Sequence, residues 1–334
     1  MGESKYFHVT SLGKLERLGG LKEVLDSRKA GGFIWIDFFD PKAEDLNPLM
    51  EPLGIHQLTI EDCLNDDQVP KMEDFPGNTF ILMNAYTYFE HDLIIDEVDF
   101  ILGKDFLVSV SGHNTEGRHS LNGLEERILR NLADVRKGSD SLLHVLMDVL
   151  VDRKFAAIEK LQDDLEDIED QVIADPQKFH PSEIMRLRRC LIRLRKSLFH
   201  EREILTKICR RDCPYISEKA IFHFRDVYDH LAKSFEMSET FREMITSLME
   251  MYVSLINNRM TMVANQTNSV MKRLTLITTI FMPLTLFAGI GGMSEWSMMT
   301  GAENWKITYP LFLVGMVIMA AANYALLKWL KWFE

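Results

Sequence analysis

Two uninterrupted apolar runs near the C-terminal end constrain this chain most. Leu274 to Ser294 (LTLITTIFMPLTLFAGIGGMS) and Ile307 to Leu327 (ITYPLFLVGMVIMAAANYALL) contain no charged residue. Each has 21 residues, which at about 1.5 Å per residue spans roughly 30 Å, the thickness of a bilayer's hydrocarbon core. A buried helix of a soluble protein rarely runs that long without a polar face. Two membrane spans, about 274–294 and 307–327, are therefore expected. Lys272 and Arg273 precede the first run and Lys328 and Lys331 follow the second, whereas the short loop carries Glu295, Glu303 and one base, Lys306. The excess of bases at the outer ends predicts that both termini are cytosolic and the loop external. Trp296, Trp305 and Tyr309 fit one interfacial aromatic belt, Trp329 and Trp332 the other.

The rest of the chain has a different character. Of 334 residues 46% are hydrophobic and 26% charged, with a formal net charge of −12. Nearly all the charges fall before Arg273. That balance argues against a nucleic-acid-binding surface and makes cations the natural partners. The start, MGESKYFHVT, lacks a secretory signal's charged lead and apolar core, and Tyr6 stands where a myristoylation site needs Ser or Thr. The bulk of the protein is expected in the cytosol, attached to the inner (plasma) membrane. Cys63, Cys190, Cys209 and Cys213 make no paired framework. Cys209 and Cys213, four apart, would share one helix face, but no further zinc ligands are placed nearby, so packing is the expected role.

Three strand-like stretches fall between Gly32 and Gly112: Phe33–Phe39, Thr79–Phe89, and Glu97–Gly112, a hairpin turning at Gly103, Lys104 and Asp105. LNPLMEPLG and HQLTIEDCLN read as helices between the first two, giving an α/β domain with a mixed sheet. After Leu121 strand signals vanish. One helical pattern runs to the Asp175-Pro176 break, and a second opens at Ser182 and runs to about Arg211. Beyond Ser217 no Pro or Gly occurs before Pro283, so a third helix is expected to pass directly into the first span. The expected domains are an α/β domain over 1–137, a helical region and stalk over 138–272, and a membrane domain over 273–334. Asp163, Asp164, Glu166, Asp167, Glu169 and Asp170 form an acidic run, readable as a solvated helix face or as a cation-concentrating surface above a pore. No Walker loop, dinucleotide fingerprint, HExxH or GxSxG element stands in the sequence, so no enzyme is expected and no resident cofactor.

The first span is more polar than an anchor requires. Asn268, Met271, Thr275, Thr278, Met282, Thr285 and Gly289 recur at three- and four-residue steps, which is one stripe of a helix. Asn, Thr, Met and Gly together suit the wall of a narrow, intermittently wet conduit. Two helices from one chain cannot enclose such a conduit, so transport requires an oligomer. Pro283 frees the Thr279 carbonyl and permits a local bend.

The block from Thr267 to Ser294, TNSVMKRLTLITTIFMPLTLFAGIGGMS, with Tyr309-Pro310 and a basic terminal helix after it, closely resembles the CorA family of divalent-cation channels. LTIEDCLNDDQVPKMEDF, Leu58 to Phe75, resembles the family's cytosolic signature. The resemblance implies a funnel-shaped homopentamer with a long stalk helix and a second span outside it, transporting magnesium and also cobalt or nickel. It places Asn268, Met271, Leu274, Met282 and Thr285 in the pore, with Met271 and Leu274 as a hydrophobic gate, and implies gating by cytosolic divalent ions bound by acidic groups at subunit interfaces, which the sequence does not identify. The external mouth, Gly291, Gly292, Met293, Ser294 and Glu295, departs from the family's Gly-Met-Asn: Ser294 replaces the Asn. Transported ions would meet Gly292, Ser294 and Asn268 largely through their water shells. Alternatives are a zinc transporter of the same superfamily and a non-conducting membrane-anchored scaffold or sensor.

Overall fold

A computed structural model describes residues 3–65, 68–112, 121, 128, 135–293, 298 and 301–329. The chain divides into two compact units, Met1–Tyr252 and Val253–Glu334.

The first unit begins with β1 (Glu3–Val9), β2 (Leu15–Leu18) and α1 (Leu21–Ser27), followed by β3 (Phe33–Phe39). Three short helices come next, α2 (Ala43–Leu46), α3 (Met50–Leu53) and α4 (Gln57–Asp62). They are short because Pro48, Pro52 and Gly54 punctuate them; Gly54 takes the left-handed backbone, φ 66°, that closes α3. Then β4 (Met72–Phe75), β5 (Asn78–Phe89), β6 (Asp92–Gly103) and β7 (Phe106–Ser111) complete a sheet of order β2-β1-β3-β7-β6-β5-β4. Only β3 and β7 pair in parallel; the other neighbours are antiparallel. The sheet is thus mixed, and the hairpin over Glu97–Gly112 turns at Lys104 and Asp105 as expected. β1, β2 and β4 were not legible as strands: ESKYFHV, LERL and MEDF carry too many polar residues for the period-two pattern to stand out. β3 and β7 are buried almost throughout, as central strands covered on both faces must be.

Three long helices follow: α5 (Ser139–Ala174), α6 (Ser182–Cys209) and α7 (Glu218–Gly291). Within the first unit they make a three-helix bundle with a readable register. The His144 ring lies 5.1 Å from that of His223, and Lys233 sits over Phe155, so α5 and α7 run parallel. Arg202 caps the Phe235 ring at 4.4 Å and Arg195 pairs with Glu239, so α6 runs antiparallel to both. The bundle is pinned to the sheet by a wholly buried ion pair: Lys154 Nζ on α5 donates to Glu201 Oε1 on α6 at 2.8 Å, and the Asn84 backbone N–H of β5 donates to the same oxygen at 2.8 Å.

One sequence expectation is corrected. Cys209 and Cys213 do not share a helix face, because α6 ends at Cys209 and Arg211 takes a left-handed φ of 72° before the Asp212-Cys213-Pro214 turn. Cys213 is buried, its thiol 3.6 Å from Thr79 Oγ1, and Cys209 is half-buried. Packing, not a metal pair, is their observed setting.

The third helix runs unbroken for 74 residues, through Pro283. In the second unit its apolar end is followed by α8 (Trp305–Trp329). Both α7 and α8 contain a stretch long and apolar enough to cross a membrane, with mean hydropathy 1.8 and 2.0.

Candidate ion-conducting stripe and sites of the first unit

On an ideal helix Asn268, Met271, Leu274, Thr275, Thr278, Met282, Thr285 and Gly289 fall within an arc of about 120°. All lie on α7 and are largely exposed; Met271, Leu274 and Met282 are 59%, 63% and 66% accessible. Thr278, Met282, Thr285, Gly289 and Met293 line one shallow concave strip of the helix. Asn268, Thr275, Met282 and Gly289 are spaced by seven, as are Met271, Thr278 and Thr285. A seven-residue repeat faces a common axis when several helices coil left-handedly about one another.

The threonines are arranged alike. Thr275 Oγ1 donates to the Met271 carbonyl at 2.9 Å, Thr278 Oγ1 to Leu274 at 2.9 Å and Thr285 Oγ1 to Phe281 at 2.9 Å. A hydroxyl whose proton is given to its own helix presents only lone pairs outward. Such a surface accepts hydrogen bonds and donates none, which suits a cation whose bound waters point their protons outward.

At the far end Gly292 N–H donates to Ala288 O at 3.1 Å and Met293 N–H to Ile290 O at 3.2 Å, tightening the last turn. A Cβ on Gly291 would lie 2.7 Å from Phe312 Cζ of α8, whereas one on Gly289 would meet nothing within 4 Å. Gly291 is therefore a packing glycine, and Gly289 belongs to the open stripe. Ser294 and Glu295 lie outside the described residues.

In the first unit, the signature stretch Leu58–Phe75 spans α4 and β4. Lys71 Nζ donates to Asp62 Oδ2 at 2.7 Å; burial opposes its charge, but Asp62 and Glu73 hold the ammonium above its usual range. Among the described residues neither Asp99 oxygen has a conventional hydrogen-bond donor. Burial first, then the charges of Glu97 and Asp62, push its carboxyl well above the usual range, leaving the weakly donating Cys63 thiol as its neighbour.

The acidic run divides in two. Asp164 is buried and bound: Tyr88 Oη donates to it, His91 Nδ1 lies 2.9 Å away and Arg186 Nη2 at 3.2 Å. Burial alone would raise its carboxyl, but Tyr88, His91 and Arg186 together hold it low. Asp163, Glu166, Asp167, Glu169 and Asp170 are exposed. A different grouping brings three possible ligands together: one ligand atom each from Asp148, Asp152 and His230 lies within 4.8 Å of the others. Two carboxylates one helical turn apart on α5 were visible in the sequence, but their approach to His230 on α7 was not, since it depends on the parallel packing of the two helices.

An α/β unit, a helix bundle and a long helix ending in a segment apolar enough for a bilayer are the parts of a membrane-attached protein, and the family match says what kind: a transporter, not an enzyme. The family model described as "CorA-like Mg2+ transporter protein" matches residues 30–329, and the chain belongs to that family. It is 35% identical over 316 residues to the cobalt/magnesium transport protein CorA of Thermotoga maritima, covering 93% of this chain and 87% of that one. It is 32% identical over 306 residues to the putative metal ion transporter YfjQ of Bacillus subtilis, covering 90% of each. The fold is similar to the complete structure of the CorA magnesium transporter from Methanocaldococcus jannaschii, with TM-score 0.71, 22% identity and 97% of each chain covered.

Proposed function

We propose that this chain is one subunit of a homopentameric channel that passes hydrated divalent cations, magnesium foremost and cobalt or nickel as well, with both termini cytosolic and α7 and the C-terminal helix α8 crossing the membrane. The observation that carries this is the stripe from Asn268 to Gly289, a polar, seven-residue-periodic face on a segment otherwise apolar enough for lipid. A single copy would leave the hydroxyls of Thr275, Thr278 and Thr285 against hydrocarbon, which the bilayer penalises. Copies set around an axis shield them and leave a conduit.

The chemistry follows from the side chains. Magnesium holds its water shell tightly, so a pore passes it most readily by accepting hydrogen bonds from that shell. Thr275, Thr278 and Thr285 offer acceptor lone pairs, Asn268 an amide, and the end of α7 the carbonyls of Gly291 and Gly292. Between them Met271 and Leu274 place a thioether and an isobutyl group, which offer water nothing and close a narrow pore by dewetting. Ser294 would complete the mouth with a hydroxyl where a longer amide would reach further.

Regulation from the cytosolic side is assigned to Asp148, Asp152 and His230. Two carboxylates and an imidazole suit a divalent ion, and an ion bridging α5 to α7 biases the helix that carries the stripe. It shifts the gate only if it binds the closed arrangement more tightly.

Purified protein in proteoliposomes tests the reading. Magnesium influx should exceed that of protein-free vesicles and fall when millimolar magnesium is added on the cytosolic side. No flux from well-assembled protein refutes it.

A further inference from the structure

The two faces of the helix bundle that meet along α7 carry opposite charge over apolar floors. On one side α6 and α7 enclose a groove of about 770 Å³. Ile192 and Phe199 are exposed in it at 58% and 44%, and Arg188, Arg195, Lys196 and Arg242 surround them, with Glu250 the one acid. Arg195 and Arg242 are held by Glu239 of the same copy. On the other side α5 and α7 enclose a groove of about 300 Å³ floored by Leu165, Met244 and Leu248. Its charged residues are Glu169 and Glu243, with no base. The exposed acids of the run, Glu166 and Asp170, flank Glu169 on the same helix.

A single copy covers neither groove. A two-fold axis through either groove would set that face on its own kind, which like-charge repulsion opposes. Basic on acidic is the favourable pairing; made head to tail, each contact leaves one face of each copy open for the next, so the arrangement propagates until it closes as a ring.

We propose that the basic α6–α7 face of one copy packs against the acidic α5–α7 face of the next, with Arg188 and Lys196 opposite Glu169 and Glu243. The proposal rests on the oligomeric pore above and specifies how its cytosolic parts mate. It gives the acidic run a role in assembly, and it places the shared helix α7 at the seam of every contact, so that a change at one seam reaches the conducting stripe of two neighbours.

Charge reversal in the full-length protein tests it, read by native mass spectrometry from detergent. Arg188→Glu with Lys196→Glu, or Glu169→Lys with Glu243→Lys, should each lower the ratio of closed ring to monomer at least about tenfold, because the repulsion recurs at every contact. All four changes in one chain should restore the ratio to within about twofold, since complementarity is then re-created with the signs exchanged. Unchanged assembly in either reversed pair overturns the proposal, as does failure of the fourfold variant to recover while each pair alone disrupts. A wild-type protein that is itself monomeric removes the pore reading; an intact wild-type ring insensitive to both reversals removes this inference alone.

Discussion

Gly289 and Gly291, two residues apart on α7, should respond to added side chains in opposite ways. In a helix interior, replacing Gly by Ala stabilises by up to about 1 kcal/mol through backbone entropy. At Gly289 the new Cβ meets nothing within 4 Å, so Gly289→Ala should retain most of that gain. At Gly291 the Cβ comes within 2.7 Å of Phe312 Cζ, 3.0 Å of Cε2 and 3.2 Å of Cε1. Overpacking of this kind costs about 1–3 kcal/mol, and Gly291 is the last helical residue, where the entropic gain is least. Gly291→Ala should therefore destabilise by about 1–2 kcal/mol, and Phe312→Leu should relieve it by shortening the ring that is struck. Function should separate the same way. Gly289→Leu puts a bulky side chain from every subunit into the proposed conduit and should lower magnesium flux by at least about tenfold with assembly and melting temperature unchanged or raised. Thermal unfolding in detergent and flux in matched proteoliposomes give the two readouts. Full flux through an assembled Gly289→Leu protein would refute placing that face toward the conduit, and a Gly289→Ala variant less stable than Gly291→Ala would refute the packing argument.

Lys154→Met should cost about 3–5 kcal/mol at pH 8, because it leaves Glu201 buried without its cation. Burial raises the Glu201 carboxyl and Lys154 opposes that; with Lys154 gone the carboxyl rises further, so the deficit should shrink as pH falls toward 5 and the acid takes up a proton. Denaturant titrations at the two pH values check this, and an equal deficit at both contradicts it. Met271→Asp should wet the apolar ring and raise cation leak in the presence of cytosolic magnesium, measured by dye-reported flux; unchanged leak in an assembled mutant counts against the gate. Ser294→Asn should raise the ratio of magnesium to zinc uptake, since the amide is longer and adds two donors to its carbonyl; an unmoved ratio places selectivity deeper, near Asn268 and Thr285. His230→Ala should weaken the stabilisation of the protein by added divalent ions in a thermal-shift titration, and a response identical to wild type removes His230 from the regulatory site.

The elements written in unbroken local pattern were legible from the residues. The apolar runs, the absence of Pro and Gly between Ser217 and Pro283, and the Asp175-Pro176 break specify α5 to α8 closely, because helix periodicity and helix breakers act within a few residues. The same holds for β3, β5 and the turn between β6 and β7, although β6 begins at Asp92, five residues before the expected Glu97. The stripe was legible for a similar reason: a helix converts spacing of three and four into one face. What the sequence could not determine depends on partners distant in the chain. β1, β2 and β4 become strands through their neighbours, since their own alternation is weak. Cys213 leaves the helix face it was expected to share with Cys209 because a left-handed residue intervenes. Asp164, one acid in a run of six, is taken up by Tyr88 of β5, His91 of the β5–β6 turn and Arg186 of α6, and the other acids of the run stay exposed. Asp148 and Asp152 meet His230, and opposite charges gather on the two sides of α7, only once α5 lies parallel and α6 antiparallel to it. Local periodicity is a property of the chain, but which side chains share a site is settled by packing, where residues far apart in sequence exclude water together.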